Sequence, residues 1–328
     1  MKKELGIFIL LVVLCVVTAT INPRFLSYAN LTNMANVIGL FGVFSLGLGL
    51  VIITSGIDLS VGSMCALTGV VMSLALTEWK WAWPLAVLVV ALIPMALGWA
   101  HGALITRMKM QPFIVTLCGL LLYRGIARFI ADDSTKGFGD PTSFVTLRQL
   151  ASGKFLGLPM PFVMLIVIGF ILWVVLHRSV YGRYLLAVGR NEEAARYSGI
   201  NTNLVITAAY VIAGLLTGIS GIMIAFYTNS VSPSNHGNFY ELYGIAAAVL
   251  GGCSLRGGEG SILGIVLGVI LLQVLQNLVN LLGIPSSLNF AVMGGVILAG
   301  VILDQVLGAR RRRVRPAAPE PTAAPPAA

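Results

Sequence analysis

The sequence predicts an all-α integral membrane protein of about ten transmembrane helices with both termini in the cytoplasm. Three observations carry this. Hydrophobic residues make up 57% of the 328, and the mean hydropathy is +0.92, far outside the range of soluble domains. Apolar runs of about 20 residues, enough to cross a bilayer, recur along the chain. Lys and Arg are divided unevenly between alternate connections. The 37 glycines fit helices that pack closely in lipid.

In chain order the candidate spans are 5–21, 32–54, 59–77, 82–105, 112–131, 159–177, 204–227, 241–254, 261–281 and 286–307. The first follows Lys2-Lys3 and so has the outline of a signal peptide, but TATINPRF offers no A-x-A cleavage site and Cys15 follows Leu14, so the helix is expected to be retained. The eighth is short and ends in Gly251-Gly252, the pattern of a broken or partly inserted helix. With the N-terminus inside, the inner segments hold twice as many Lys and Arg as the outer ones, which puts 178–203 inside and 132–158 outside. Residues 1–308 read as one membrane domain. The remainder, 309–328, is basic and then Pro/Ala-rich, the composition of a disordered cytoplasmic tail.

Composition also excludes functions. The net charge of +9 is a topology signal here, not a nucleic-acid footprint. Cys15, Cys65, Cys118 and Cys253 have no CxxC spacing and no clustered histidines, so no disulfide framework or metal site is expected. Walker A, GxSxG and HExxH patterns are all absent. Asp132 and Asp133 are adjacent in an outer loop and would point apart. Neither catalysis nor a bound cofactor is expected of this chain.

Four features carry function. GRNEEAARYSGIN, residues 189–201, is too polar for lipid and reads as a short helix, with Asn191 as N-cap, Glu192 and Glu193 in the first turn, Ala194 and Ala195 extending it and Gly199 ending it. It is either a helix offered to a partner or an ordinary loop. In GIDLSVGS, 56–63, Asp58 is an acid among apolar residues; it either caps the next helix through backbone N–H groups near Ser60 and Val61, or serves with Ser60 at a gate or a cytoplasmic contact. GGCSLRGGEGS, 251–261, is a tight glycine loop in which Arg256 and Glu259 can pair or meet a partner. Asn33 and Asn36, with Gln273, Gln276, Asn277 and Asn280 on one helix face, either line a pathway for an uncharged polyhydroxylated solute or bond helix to helix. Gly260, Gly264 and Gly268, and Gly214 and Gly218, are small-residue faces for close packing, and His101 reads as a packed histidine.

GIDLSVGS at 56–63, KMQPFIVTLCGLLLYRGIA at 109–127, GRNEEAARYSGIN at 189–201 and the loop at 251–261, in this order, resemble the permease subunit of bacterial ABC importers of the ribose/xylose/arabinose class, nearest the ribose type, over residues 5–307. The resemblance implies a homodimer in the inner membrane, a cytoplasmic ATPase that uses ATP and Mg, and a periplasmic sugar-binding protein. It makes the run Glu192, Glu193, Ala194, Ala195, Arg196, Tyr197, Ser198, Gly199, Ile200 a coupling helix. Glu193-Ala194-Ala195 with Gly199 matches the front of the E-A-A-x-x-x-G pattern, while the later I-x-L-P part is absent. Ribose is the expected cargo, with other pentoses, hexoses or a sugar-like signal molecule as alternatives. An ion-coupled secondary transporter is the competing reading, with Asp58 as its candidate charge.

Overall fold

The computed structural model describes residues 2–139, 142, 144–285 and six isolated positions between 288 and 298. The tail 309–328 and, apart from those six positions, the expected helix 286–307 lie outside the described residues.

The chain runs α1 (Lys2–Ile21), a 3-10 turn (Pro23–Leu26), α2 (Tyr28–Ile53), α3 (Val61–Thr77), α4 (Trp83–Arg107), α5 (Pro112–Ile130), β1 (Lys136–Gly137), α6 (Val145–Ser152), β2 (Lys154–Phe155), β3 (Leu158–Pro159), α7 (Met160–Arg178), α8 (Val180–Arg190), α9 (Glu192–Tyr197), α10 (Thr202–Thr228), β4 (Ser230–Val231), α11 (Tyr240–Leu250) and α12 (Ile262–Leu281). Among the described residues seven helices are long and apolar enough to cross a membrane: α1, α2, α4, α5, α7, α10 and α12. Two expected spans are shorter. For α3 the start moves to Val61 because Asp58 draws the Ser60 N–H into a local turn, which competes with helix. α11 has only 11 residues, ending where Gly251 caps it and Gly252 turns to φ +92°. Helices α6 and α8 were not expected. α8 starts at Ser179, whose hydroxyl accepts the Gly182 N–H at 3.2 Å.

At the centre stand α2 and α10, with 83% and 78% of their spans buried, whereas α1 buries only 11% and lies along α12. α2 and α10 are antiparallel: Gly47 faces Ala213, and the Ser220 hydroxyl donates to the Leu40 carbonyl at 3.0 Å. Glycines bring the backbones together on both sides of α10. Gly98 and Gly102 of α4 sit against Tyr210 and Thr207, while Gly214 and Gly218 of α10 sit against the carbonyl and ring of Pro94. On α12, Gly264 and Gly268 meet the carbonyls of Gly251 and Ala247. In lipid, where apolar burial does not drive association, such van der Waals approach is what holds helices together.

The two central helices introduce the same plan in opposite senses. α2 is followed by a non-helical stretch, 54–60, and then short α3; α10 is followed by 229–239 and then short α11. The two short helices meet by their N-terminal ends inside the bundle, with Gly62 in the first turn of α3 against the Gly237 carbonyl. Inverted repeats with broken helices are a recurrent transporter design.

Gly214→Leu drives a side chain into the Pro94 backbone, so it is expected to lose about 1–3 kcal/mol of stability or more. Gly125→Leu, at a site with nothing within 4 Å of an added Cβ, is the control. Thermal unfolding in detergent should separate the two variants, and equal midpoints would refute the close-packing account.

Candidate functional site

One end of the bundle carries a helix built to be rigid. Asn191 accepts the Ala194 N–H at 2.9 Å, which places the N-cap of α9 where the sequence put it. Its C-terminus closes by a Schellman pair: Gly199 takes φ +83°, and the Ile200 N–H reaches the Ala195 carbonyl at 3.1 Å. Glu192 pairs with Arg196 one turn on and accepts the Thr202 hydroxyl at 3.3 Å, tying α9 to the start of α10. Ala195 is buried beneath, and Glu193, Ala194, Tyr197 and Ser198 face outward. Tyr197 is 91% exposed.

This helix is attached to the centre of the protein. The Ser55 hydroxyl donates to the carbonyls of Gly189 at 3.2 Å and Arg256 at 2.9 Å, and the Gly258 N–H donates to the Ile53 carbonyl at 2.9 Å. The end of α2, the end of α8 and the glycine loop 251–261 thus form one knot. It tolerates no Cβ at Gly189, Gly257 or Gly258, whose neighbours are backbone or packed side chain. Leu255, Arg256 and Glu259 are exposed on the same loop.

Asp58 and Ser60 lie elsewhere. They are 2% and 0% exposed, so they present no surface to a partner in this conformation. Asp58 Oδ1 accepts the Ser60 N–H at 2.8 Å and the Ser60 hydroxyl at 2.6 Å. The bonded N–H is one the sequence named, although the cap position itself falls to Ser60. The preceding carbonyl, Ile57, takes hydroxyls from Thr116 at 3.2 Å and Tyr210 at 3.4 Å. His101 bonds the Tyr123 hydroxyl at 2.7 Å through Nε2, as a packed histidine does, and its Nδ1 has no partner among the described residues.

Across the break sits a group the sequence reading passed over. Arg124 of α5 donates to the carbonyls of Pro233 at 2.9 Å and His236 at 2.6 Å, pinning the 229–239 segment. Glu241, 7% exposed, sets its carboxylate against Gly62 at the start of α3. The signal was available: each is a charge inside an apolar run.

The six amide residues separate. Asn277 and Asn30 bond each other in both directions at 2.8 and 3.1 Å, joining α12 to α2. Gln273 is buried, and Gln276 and Asn280 lie further out on α12. Asn33 accepts the Tyr227 hydroxyl at 3.4 Å, and Asn36 Oδ1 is buried without a partner. Among the described residues no three His, Cys, Asp or Glu side chains gather as a metal site.

A multi-helix bundle with polar breaks sealed at its heart and a capped helix held out at one end has the build of a membrane transport protein. Comparison with known proteins agrees. The family model described as the branched-chain amino acid transport system permease component matches residues 30–301. The chain is 38% identical over 304 residues to the ribose import permease protein of Bacillus subtilis, covering 92% of this chain and 93% of that one. It is 36% identical over 296 residues to the ribose import permease protein of Escherichia coli, at 90% and 92% coverage. To the galactose/methyl galactoside import permease protein of Salmonella typhimurium it is 31% identical over 325 residues, at 94% and 96%. No solved structure matches. The chain belongs to this permease family: it is a non-catalytic, multi-pass subunit of a bacterial ABC sugar importer in the cytoplasmic membrane. Membership implies an ATPase and a solute-binding protein as partners.

Loss of an N-cap costs about 1 kcal/mol, so Asn191→Ala should speed amide exchange within α9 about fivefold. Exchange followed by mass spectrometry should show this in α9 and not in α4. Unchanged exchange in α9 would mean that the cap is not what holds it.

Proposed function

We propose that the chain carries a monosaccharide, ribose first, into the cytoplasm as one of two identical copies, and that a cytoplasmic ATPase drives it by docking on α9. The observation that carries this is a helix capped at both ends, with Tyr197 held out beyond it and its base knotted to α2. Large exposed aromatics on rigid supports are what anchor interfaces. Glu193, Arg256, Leu255 and Glu259 would border the same surface.

In this reading the α9 end of the bundle faces the cytoplasm. Glu4 lies at that end, since its carboxylate accepts the Ser261 hydroxyl beside the glycine loop. The N-terminus therefore goes with α9, as the distribution of basic residues requires. Closure of the ATPase on ATP and Mg would move α9. The Ser55 knot would then pass the motion to α2, and the bundle would switch between two packings.

Two observations favour a neutral cargo. The relatives named above import ribose and galactosides. The buried charges are also engaged: Asp58 takes the Ser60 N–H, Arg124 gives to two carbonyls, and Glu241 is packed against Gly62. A zwitterionic amino acid would need charges free to meet it. The ion-coupled alternative gains broken helices and buried charges from the structure, but it leaves α9 without a purpose.

Tyr197→Ala and Glu193→Lys should each weaken ATPase binding, by about 30-fold or more for a hot-spot residue, and abolish uptake without lowering the unfolding temperature. Co-purification from native membranes, with uptake into vesicles, reads both effects. Wild-type binding and uptake in both variants would refute docking on α9.

A further inference from the structure

We infer that a half-exposed strip of rings and amides along the seam between α2 and α11 is the face over which the sugar passes; the inference rests on the importer reading above. Phe41 of α2 stands with its ring centroid 4.8 Å from that of Tyr240 and 5.5 Å from that of Tyr243, both on α11. Behind them Phe44, fully buried, stacks parallel to Tyr240 at 5.9 Å. Phe41, Tyr240 and Tyr243 are only half-buried, so the wall has an open side. About two turns back along α2 lies Asn33, reached by the Tyr227 hydroxyl from the end of α10.

The strip has unused hydrogen-bonding capacity. The hydroxyls of Tyr240 and Tyr243 bond to nothing among the described residues. Two unpaired phenols cannot face hydrocarbon without a cost of about 1–3 kcal/mol each. The outer faces of α1 and α7, by contrast, expose Val16, Leu10, Ile166, Val167, Phe170 and Ile171. The strip therefore faces water or a polar solute.

Its chemistry fits one class of solute. A monosaccharide presents C–H groups on its ring faces and hydroxyls around its edge. Flat aromatic faces accept the first, while neutral amides and phenols give to and take from the second. No ionised side chain belongs to the strip, so its grip is weak enough for release. Phe239, the residue before α11, is held at φ +66°, a left-handed conformation unusual for a bulky side chain, so the strip begins at a strained backbone corner.

The test uses the permease assembled with its ATPase and binding protein in proteoliposomes, with D-ribose and D-xylose as labelled probes. Tyr243→Phe removes one hydroxyl and should change the ratio of ribose to xylose uptake about threefold or more. A merely loosened fold would lower both sugars alike and leave the ratio at its wild-type value, which would overturn the inference. A second measurement is independent of the cargo. In a chain with its four cysteines replaced, Tyr243→Cys should react with a membrane-impermeant maleimide, and Ile166→Cys should not. An unreactive Cys at 243 places the strip against lipid and sinks it. Wild-type vesicles that import neither sugar, with reactive Cys at 243, would overturn the importer reading of the cargo and keep the aqueous strip.

Discussion

The first turn of α3 has a carboxylate on each of two sides: Asp58 takes the Ser60 N–H from the preceding stretch, and Glu241 of α11 sets its carboxylate against Gly62. Away from water every backbone group must find a partner in the protein. A bundle whose chain is interrupted at 54–60 and again at 229–239 therefore exists only because side chains and carbonyls fill those gaps. Arg124 supplies the second gap, where Pro233 and His236 would otherwise leave bare carbonyls. Remove these groups and neither short helix has a place to start. The approach of α3 to α11, which needs glycine at 62 and 237, would go with them.

The same arrangement explains why a helix at one end can matter to the middle. α9 is too short to be stable by itself, since isolated helices of a few turns are marginal even with good residues. It is fixed instead by Asn191, by the Gly199 turn, by Thr202 and by the buried Ala195. Its base joins the end of α2 through Ser55. α2 leads directly into the 54–60 break and packs along α10, which leads into the other break. A displacement at α9 thus meets stiff, close-packed helices before it meets the two points at which the backbone is not helical. Those points are where a change of packing is cheapest, because no ladder of helical hydrogen bonds has to break.

How much of this was legible in the sequence follows from range. α9 was read correctly down to its caps because Asn191, Ala194 and Gly199 act on one another within a few residues. The apolar runs gave the long spans for the same reason. α8 was hidden in a charged connection, where its amphipathic pattern in VYGRYLLAVGR was overlooked beside the motif that follows. The eighth span is short and ends at Gly251-Gly252, as those glycines announced; the break before α11, at Gly237 and Phe239, was not legible, because it is shaped by Gly62 from a distant part of the chain. Arg124 and Glu241 stood in plain sight as charges in apolar runs. Arg124's partners and Glu241's neighbour Gly62 are more than 100 residues away, and no local spacing announces that. The amide residues show the converse: Asn277 and Asn33 look alike in sequence, and only the fold gives one a mate on α2 and leaves the other beside an open face.

Charge balance at the breaks also bears on what can pass. Counted as ionised, Asp58 and Glu241 bring two negative charges and Arg124 one positive charge. The N-terminal ends of α3 and α11 add about half a positive charge each. With all three charged, the formal sum is close to zero. An ion-coupled transporter depends on a site whose charge is incomplete until the ion arrives. In the importer reading proposed above, energy for the switch enters instead from outside the membrane domain, through the capped helix α9 that holds Tyr197 into solvent.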